Sequence, residues 1–252
     1  MLGRMKNTRA AALLALAVLV AAPTWGQAVA PAPVRVLLVG NSLTYFNDMP
    51  QLLARMASAP GASRLLVAFC GAGGLRLQDQ WERGDVAKAL GAAKWDFVVL
   101  QGQSVEPTDY TENFLEYGRR LDGEIRKHGA RTVLFLTWAA AGRPQAPMTY
   151  AYRQLARETG ATVAPVGVAF ATELRRGRIL LAGDDVHPNL AGSYLAACVL
   201  YAVVTGRSPV GLPYRFDAER QGSRPAGTAR QLEPGLAKEL QQEAWEAVSA
   251  SR

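Results

Sequence analysis

Five short apolar runs punctuate the chain: VRVLLVG (34–40), RLLVAFC (64–70), DFVVL (96–100), TVLFLTW (132–138) and TVAPVG (162–167). Turn-forming residues bound each run, and none has the apolar–polar alternation of a sheet with one wet face. Runs of this kind suit strands covered on both faces. Between them lie stretches with helical spacing: MPQLLARMASA after the first, WERGDVAKALGAA after the second, TENFLEYGRRLDGEIRKHGA after the third and MTYAYRQLARETGA after the fourth. Strand and helix in alternation predict a parallel α/β sheet of about five strands with helices on both faces, a three-layer α/β/α arrangement. A further apolar helix is expected after His187. Residues 214–235 are polar with Gly and Pro and read as a surface excursion, and Leu236, Leu240, Ala244 and Val248 place a final packing helix over roughly 236–249.

Composition narrows the class. The chain has 252 residues, near the upper limit for one hydrophobic core. Its formal charge is +7, of which Arg4, Lys6 and Arg9 supply three in a segment without acids, leaving a weak +4 spread over the rest. No Lys/Arg block with interleaved aromatics marks a nucleic-acid surface. Residues 1–28 have the form of a secretory signal: a basic start, an apolar run from Ala10 to Ala22, then Gly26 and Ala28 at the −3 and −1 positions of a cut. The alternative is an uncleaved anchor, but the run falls short of the roughly 20 residues a span needs. No Cys follows it for lipidation, and no Arg pair marks twin-arginine export. The expected mature chain, 29–252, is a secreted or periplasmic protein with no membrane attachment after cleavage. Export permits a disulfide between Cys70 and Cys198, but two separate buried thiols are expected for a domain that does not need the bridge.

The first run ends in a way that invites chemistry. GNSLT (40–44) puts Ser42 just past a buried strand, where it either makes a turn or serves as a nucleophile. A serine needs a base to remove its proton. Only two histidines exist. His128 precedes Gly129 at the end of a helical stretch and reads as a structural cap. His187 lies in LAGDDVHPNLAGSYL, where Pro188 biases it away from helical geometry and Pro188–Asn189 look like a helix entry. Asp184, three residues earlier, can bond one ring nitrogen, fix the tautomer and stabilise the imidazolium. Asp185 competes for that role. Ser42 after the first strand and His187 after the last can meet at the carboxyl-end rim, where doubly wound sheets hold their ligands.

An acyl-transfer site also needs donors for the developing oxyanion. CGAGGLRL (70–77) offers the backbone N–H groups of Gly73 and Gly74, and QGQSVEP (101–107) the side-chain amides of Gln101 or Gln103. The GAGG stretch lacks the Lys-Ser/Thr of a phosphate loop and the G-x-G-x-x-G spacing, which argues against a nucleotide binder. No metal set is apparent from two scattered histidines and two distant cysteines, and no cofactor is called for.

Taken together, GNSLT, GAGGL and DDVH occur in the chain order of the SGNH (GDSL-like) hydrolases, and the chain resembles that family over roughly residues 34–205. The resemblance implies a flavodoxin-like sheet and a serine esterase or acylhydrolase. It makes Ser42 the nucleophile and first oxyanion donor, Gly74 the second donor, His187 the base and Asp184 its orienting acid. Asn41 stands where the family often has Asp. The third block departs further: the family commonly has Gly-x-Asn-Asp, whereas this chain has LQGQSVEP, and Gln103 is the expected substitute donor, with Gln101 as the alternative. Asn41, Gly73, Gln101 and Trp138 are candidate substrate contacts. Trp81 and Tyr45 are further candidates for the pocket wall, with core packing the competing role for both tryptophans. The expected substrate is a small-molecule or carbohydrate ester, such as an O-acetyl group on sugar. A non-catalytic glycan-binding module on the same fold is the alternative.

Overall fold

The computed structural model describes residues 32–216 and 230–251. The expected signal segment, and residues 217–229 of the polar excursion, lie outside the described residues. Five parallel strands form one sheet: β1 (Val34–Gly40), β2 (Leu65–Gly71), β3 (Phe97–Leu100), β4 (Arg131–Phe135) and β5 (Thr162–Ala164), in the order β2-β1-β3-β4-β5. This is the flavodoxin-like order, and its switch point lies between β1 and β3. The helices are α1 (Ser42–Tyr45), α2 (Met49–Met56), α3 (Leu77–Glu82), α4 (Asp85–Ala92), α5 (Glu106–Asp109), α6 (Thr111–Lys127), α7 (Gln145–Thr159), α8 (Val166–Arg175), α9 (Leu190–Thr205) and α10 (Pro234–Ser249). A short antiparallel pair, β6 (Arg215–Phe216) with β7 (Arg230–Gln231), precedes α10.

Successive strand residues point to opposite faces, so each continuous apolar run feeds two cores. Val36 and Leu38 of β1 join Phe97 and Val99 of β3 in a core closed by α2, α8, α9 and α10. Leu37, Val39, Val98 and Leu100 join the other, closed by α3, α4, α6 and α7. Helix α9 is buried almost all round, as expected of a helix that is apolar on every face. Helix α10 covers it, with Leu240, Ala244 and Val248 buried.

Several boundaries differ from the sequence pattern. The fifth strand stops at Ala164 because Pro165 follows, and the residues read as its end, Val166 and Gly167, begin α8 instead. Gly167 is required there, since a Cβ would lie 2.0 Å from the Thr137 carbonyl oxygen. Strand β4 ends at Phe135, and Leu136–Trp138 continue past the pairing. The stretch read as one helix over 81–93 is two, broken at Gly84 with φ of 68°. His128 occupies the C-cap of α6 with Gly129 at φ of 76°. Cys70 and Cys198 are unpaired thiols, with Cys198 buried but Cys70 only half-buried. Among the described residues, no helix is long and apolar enough to cross a membrane.

Candidate active site

Strand β1 runs into the site through Gly40, where a Cβ would meet Thr44 Oγ1 at 2.5 Å and Gln101 Oε1 at 2.6 Å. Asn41 then caps α1: its backbone is extended and its Oδ1 accepts from the Leu43 N–H (3.1 Å). Its Nδ2 donates to the Leu75 carbonyl (2.9 Å), binding the glycine loop to this turn. Gln101, fully buried, accepts from the Asn41 N–H and the Thr44 hydroxyl, each at 2.9 Å. Ser42 is thereby the first residue of α1, half-buried, on a turn whose every neighbour is fastened.

The histidine reaches the same rim from the far end of the chain. Leu181 and Pro188 pair as an isolated bridge, and the Ala182 N–H donates to the His187 carbonyl (2.8 Å). The turn between them needs Asp185 at φ of 55°, a conformation Asp tolerates better than most residues. Asp184 Oδ1 accepts from the N–H groups of Val186 (3.1 Å) and His187 (3.0 Å), and its Oδ2 lies 2.6 Å from His187 Nδ1. His187 Nε2 lies 2.9 Å from Ser42 Oγ. The bond from the His187 ring, followed by the two backbone N–H groups, holds the Asp184 carboxyl well down, at about 2. With Nδ1–H donated to that carboxylate, Nε2 presents its lone pair to the serine hydroxyl. The arrangement can take the hydroxyl proton while the carboxylate stabilises the resulting imidazolium.

Further contacts hold the ring and the loop that carries it. Phe46 stacks on the His187 imidazole, with centroids 4.2 Å apart and 17° between planes. Asn47, at φ of 53°, donates from Nδ2 to the Pro188 carbonyl (2.8 Å) and to Ser193 Oγ (2.9 Å). The Trp138 indole N–H donates to the Val186 carbonyl (3.1 Å).

The residues expected to donate to an oxyanion lie on two further loops. After β2 the chain passes so close to β1 that a Cβ on Gly71 would sit 1.9 Å from the Gly40 carbonyl oxygen. Gly73 and Gly74 follow, both exposed, with Gly74 at φ of 74°. After β3, Gly102 packs against Phe114 and donates its N–H to the Tyr152 hydroxyl (3.1 Å). Gln103 is half-buried, and its Oε1 accepts from the Val105 N–H (2.9 Å), which orients the amide. The buried Glu106 carboxylate accepts from the N–H groups of Gln103 (2.9 Å) and Leu77 (3.1 and 3.2 Å to its two oxygens).

The structure thus unites Ser42, His187 and Asp184, and of the two candidate acids it is Asp184 that meets the ring. It corrects three substrate-contact expectations. Asn41 is 2% exposed and spends its side chain on the cap and Leu75; Gln101 is fully enclosed beneath the Ser42 turn, where no substrate atom reaches its amide; Trp138 is 3% exposed, stacked on Phe170, and braces the histidine loop. Gly73 remains at the surface beside the Tyr45 hydroxyl. Trp81 is a partly buried packing residue. Phe46, Asn47 and Glu106 escaped the sequence reading. Among the described residues no cluster of His, Cys, Asp or Glu suits a metal ion.

The fold has counterparts among solved structures. A protein from Slackia heliotrinireducens, provisionally assigned as an SGNH hydrolase, is 31% identical, with a TM-score of 0.59 over 68% of this chain and 98% of its own. An acetyl xylan esterase is 18% identical with a TM-score of 0.57, covering 68% of this chain and 100% of its own. A mutant of an acetyl-xylooligosaccharide esterase from Geobacillus Stearmophilus is 19% identical with a TM-score of 0.58, covering 73% and 100%. The last two share the fold at identities too low to carry more. No protein-family profile and no curated protein matches the chain. The chain belongs to the SGNH hydrolase family and has that family's esterase/acylhydrolase fold.

Proposed function

We propose that this protein is a serine ester hydrolase working through an acyl-enzyme. One observation carries the reading: His187 Nε2 stands 2.9 Å from Ser42 Oγ while Asp184 Oδ2 stands 2.6 Å from the other ring nitrogen. Ser42 Oγ attacks the ester carbonyl as His187 Nε2 takes its proton. The negative charge on the carbonyl oxygen is met by the N–H groups of Ser42 and Gly74 and by the Gln103 side-chain amide. Collapse expels the alcohol, which leaves with the proton from the imidazolium. Water, deprotonated by the same nitrogen, then attacks the acyl carbon, releases the acid and restores Ser42.

The favoured substrate is a small acyl group on a carbohydrate, an O-acetyl ester. Two of the similar structures are an acetyl xylan esterase and an acetyl-xylooligosaccharide esterase, which supports that choice. The N-terminal pattern at 1–28 supports an exported enzyme. The test is a panel of acetylated sugars and aryl esters of graded chain length, with fluorophosphonate labelling, on the wild type and Ser42→Ala. Hydrolysis and labelling that both vanish in Ser42→Ala are expected. Wild-type protein that binds glycan but neither turns over ester nor takes the label would replace the enzyme with a binding module.

A further inference from the structure

Glu106 has no part in the steps above, yet its side chain is fully enclosed at the junction of the loops that carry them. A buried carboxylate is costly unless hydrogen bonds satisfy it. Here they come from two separate loops: the Leu77 N–H, three residues past Gly74, and the Gln103 N–H. The other ties among the three rim loops complete a pattern. Asn41 joins the nucleophile turn to the glycine loop through the Leu75 carbonyl. Gln101 joins the third loop to the nucleophile turn through the Asn41 N–H. Only the link between the second and third loops is then needed to close the triangle, and Glu106 supplies it. Among the described residues it has no ion-pair partner, so its bonding capacity goes to those two amides. Burial pushes its carboxyl up to about 7 even against these bonds and the nearby Arg76 charge.

We propose that Glu106 is a positioning residue that sets the spacing between the Gly74 and Gln103 oxyanion donors by holding both of their loops on one carboxylate. The inference rests on the reading of those two groups as donors. An arrangement aimed at the oxyanion acts on the transition state, so its loss lowers kcat and leaves KM nearly unchanged. Oε2 alone accepts from both N–H groups, so a glutamine with its oxygen in that place keeps both bonds; Glu106→Leu removes both acceptors at similar volume and frees the two segments from each other.

The experiment is steady-state hydrolysis of an aryl acetate by wild type, Ser42→Ala and Glu106→Leu, with circular dichroism as the check on folding. A fall in kcat on the order of 10- to 100-fold in Glu106→Leu, with KM within about threefold, is expected. A folded Glu106→Leu with wild-type kcat, or one altered in KM alone, overturns the inference. A wild type that hydrolyses no ester fails the enzyme reading instead. Should Glu106→Leu not fold, amide NMR of the wild type decides. The Leu77 and Gln103 N–H resonances should move together through one midpoint as the carboxyl titrates. The other groups facing it are Arg76 and Asp79 at the start of α3 and Tyr152 on α7. Two amides that titrate apart, or not at all, overturn it equally.

Discussion

The two halves of the candidate site are held in opposite ways. The serine half grows out of the sheet: Gly40 and Asn41 are buried, Gln101 is buried beneath them, and glycines pass where a single methyl would collide with backbone. The histidine half is a loop beyond the sheet, with Asp184 and Asp185 exposed, the ring held by Phe46 and Asp184 and the loop backbone by Asn47 and Trp138. Precision on the first side comes from packing and on the second from discrete bonds. Damage to the first should therefore cost stability and activity together, and damage to the second mainly activity.

The largest effect that sharpens this contrast is Asp184→Asn. The amide presents its NH2 to Nδ1 or loses the loop bonds, and the imidazole is left in the wrong tautomer. A loss of kcat on the order of 10² to 10⁴ is expected, with little change in thermal midpoint. Because the folded carboxyl sits at about 2, below its ordinary 3.8, it stays ionised in the native state until pH falls through about 2. Any wild-type loss of rate between about pH 8 and pH 4 must then come from another group. A wild-type rate that survives Asp184→Asn would remove the orienting acid from the scheme.

Gly40→Ala is the counterpart on the packed side. Its methyl would press on Thr44 Oγ1 and on Gln101, whose amide is already committed to Asn41. Overpacking of this kind costs about 1–3 kcal/mol, and the displaced turn carries Ser42 with it. Thermal unfolding and kcat should fall together. A variant with unchanged midpoint but lost activity would break the proposed division between the halves.

Asn47→Gly probes the looser side. Glycine keeps the positive φ at no cost and deletes one bond to the histidine loop, at the Pro188 carbonyl, and one to Ser193 on α9. Each exposed or half-buried bond contributes about 0.5–1.5 kcal/mol, so kcat should drop roughly tenfold while the fold survives. A midpoint lowered as far as in Gly40→Ala would show that Asn47 supports the core instead of the rim.

The contrast also explains what could be read from the chain before its fold. The strands were legible because burial on both faces leaves continuous apolar runs, as in VRVLLVG. The meeting of Ser42, His187 and Asp184 was legible because histidine is scarce here and Asp184 precedes His187 at a bonding interval. Phe46 and Asn47 were not, since their partners lie about 140 residues away in sequence and nothing local marks them. Gln101 and Gln103 could not be told apart because the turn at Gly102, pinned by Tyr152 on a distant helix, decides which amide is enclosed. Val166–Gly167 looked like strand because the apolar run is unbroken; Pro165 ends the pairing, a local signal outweighed by hydrophobicity.

The smallest effect gives the finest test. Trp138 stacks on Phe170 at 4.2 Å and 10°, and sends only its indole N–H to the histidine loop, at the Val186 carbonyl. In Trp138→Phe the stack persists in part, the N–H is lost, and a small void opens in the core. The void should lower stability by about 1–2 kcal/mol, whereas the lost bond removes one brace among several. Two- to fivefold is therefore the expected drop in kcat, roughly 0.4–1 kcal/mol of transition-state stabilisation. If the drop instead approaches that of Asp184→Asn, the bracing is not distributed, and the loop hangs on a single tryptophan that belongs to the packed core. The histidine half would then be an extension of the sheet's own packing, and the distinction between the two sides would collapse.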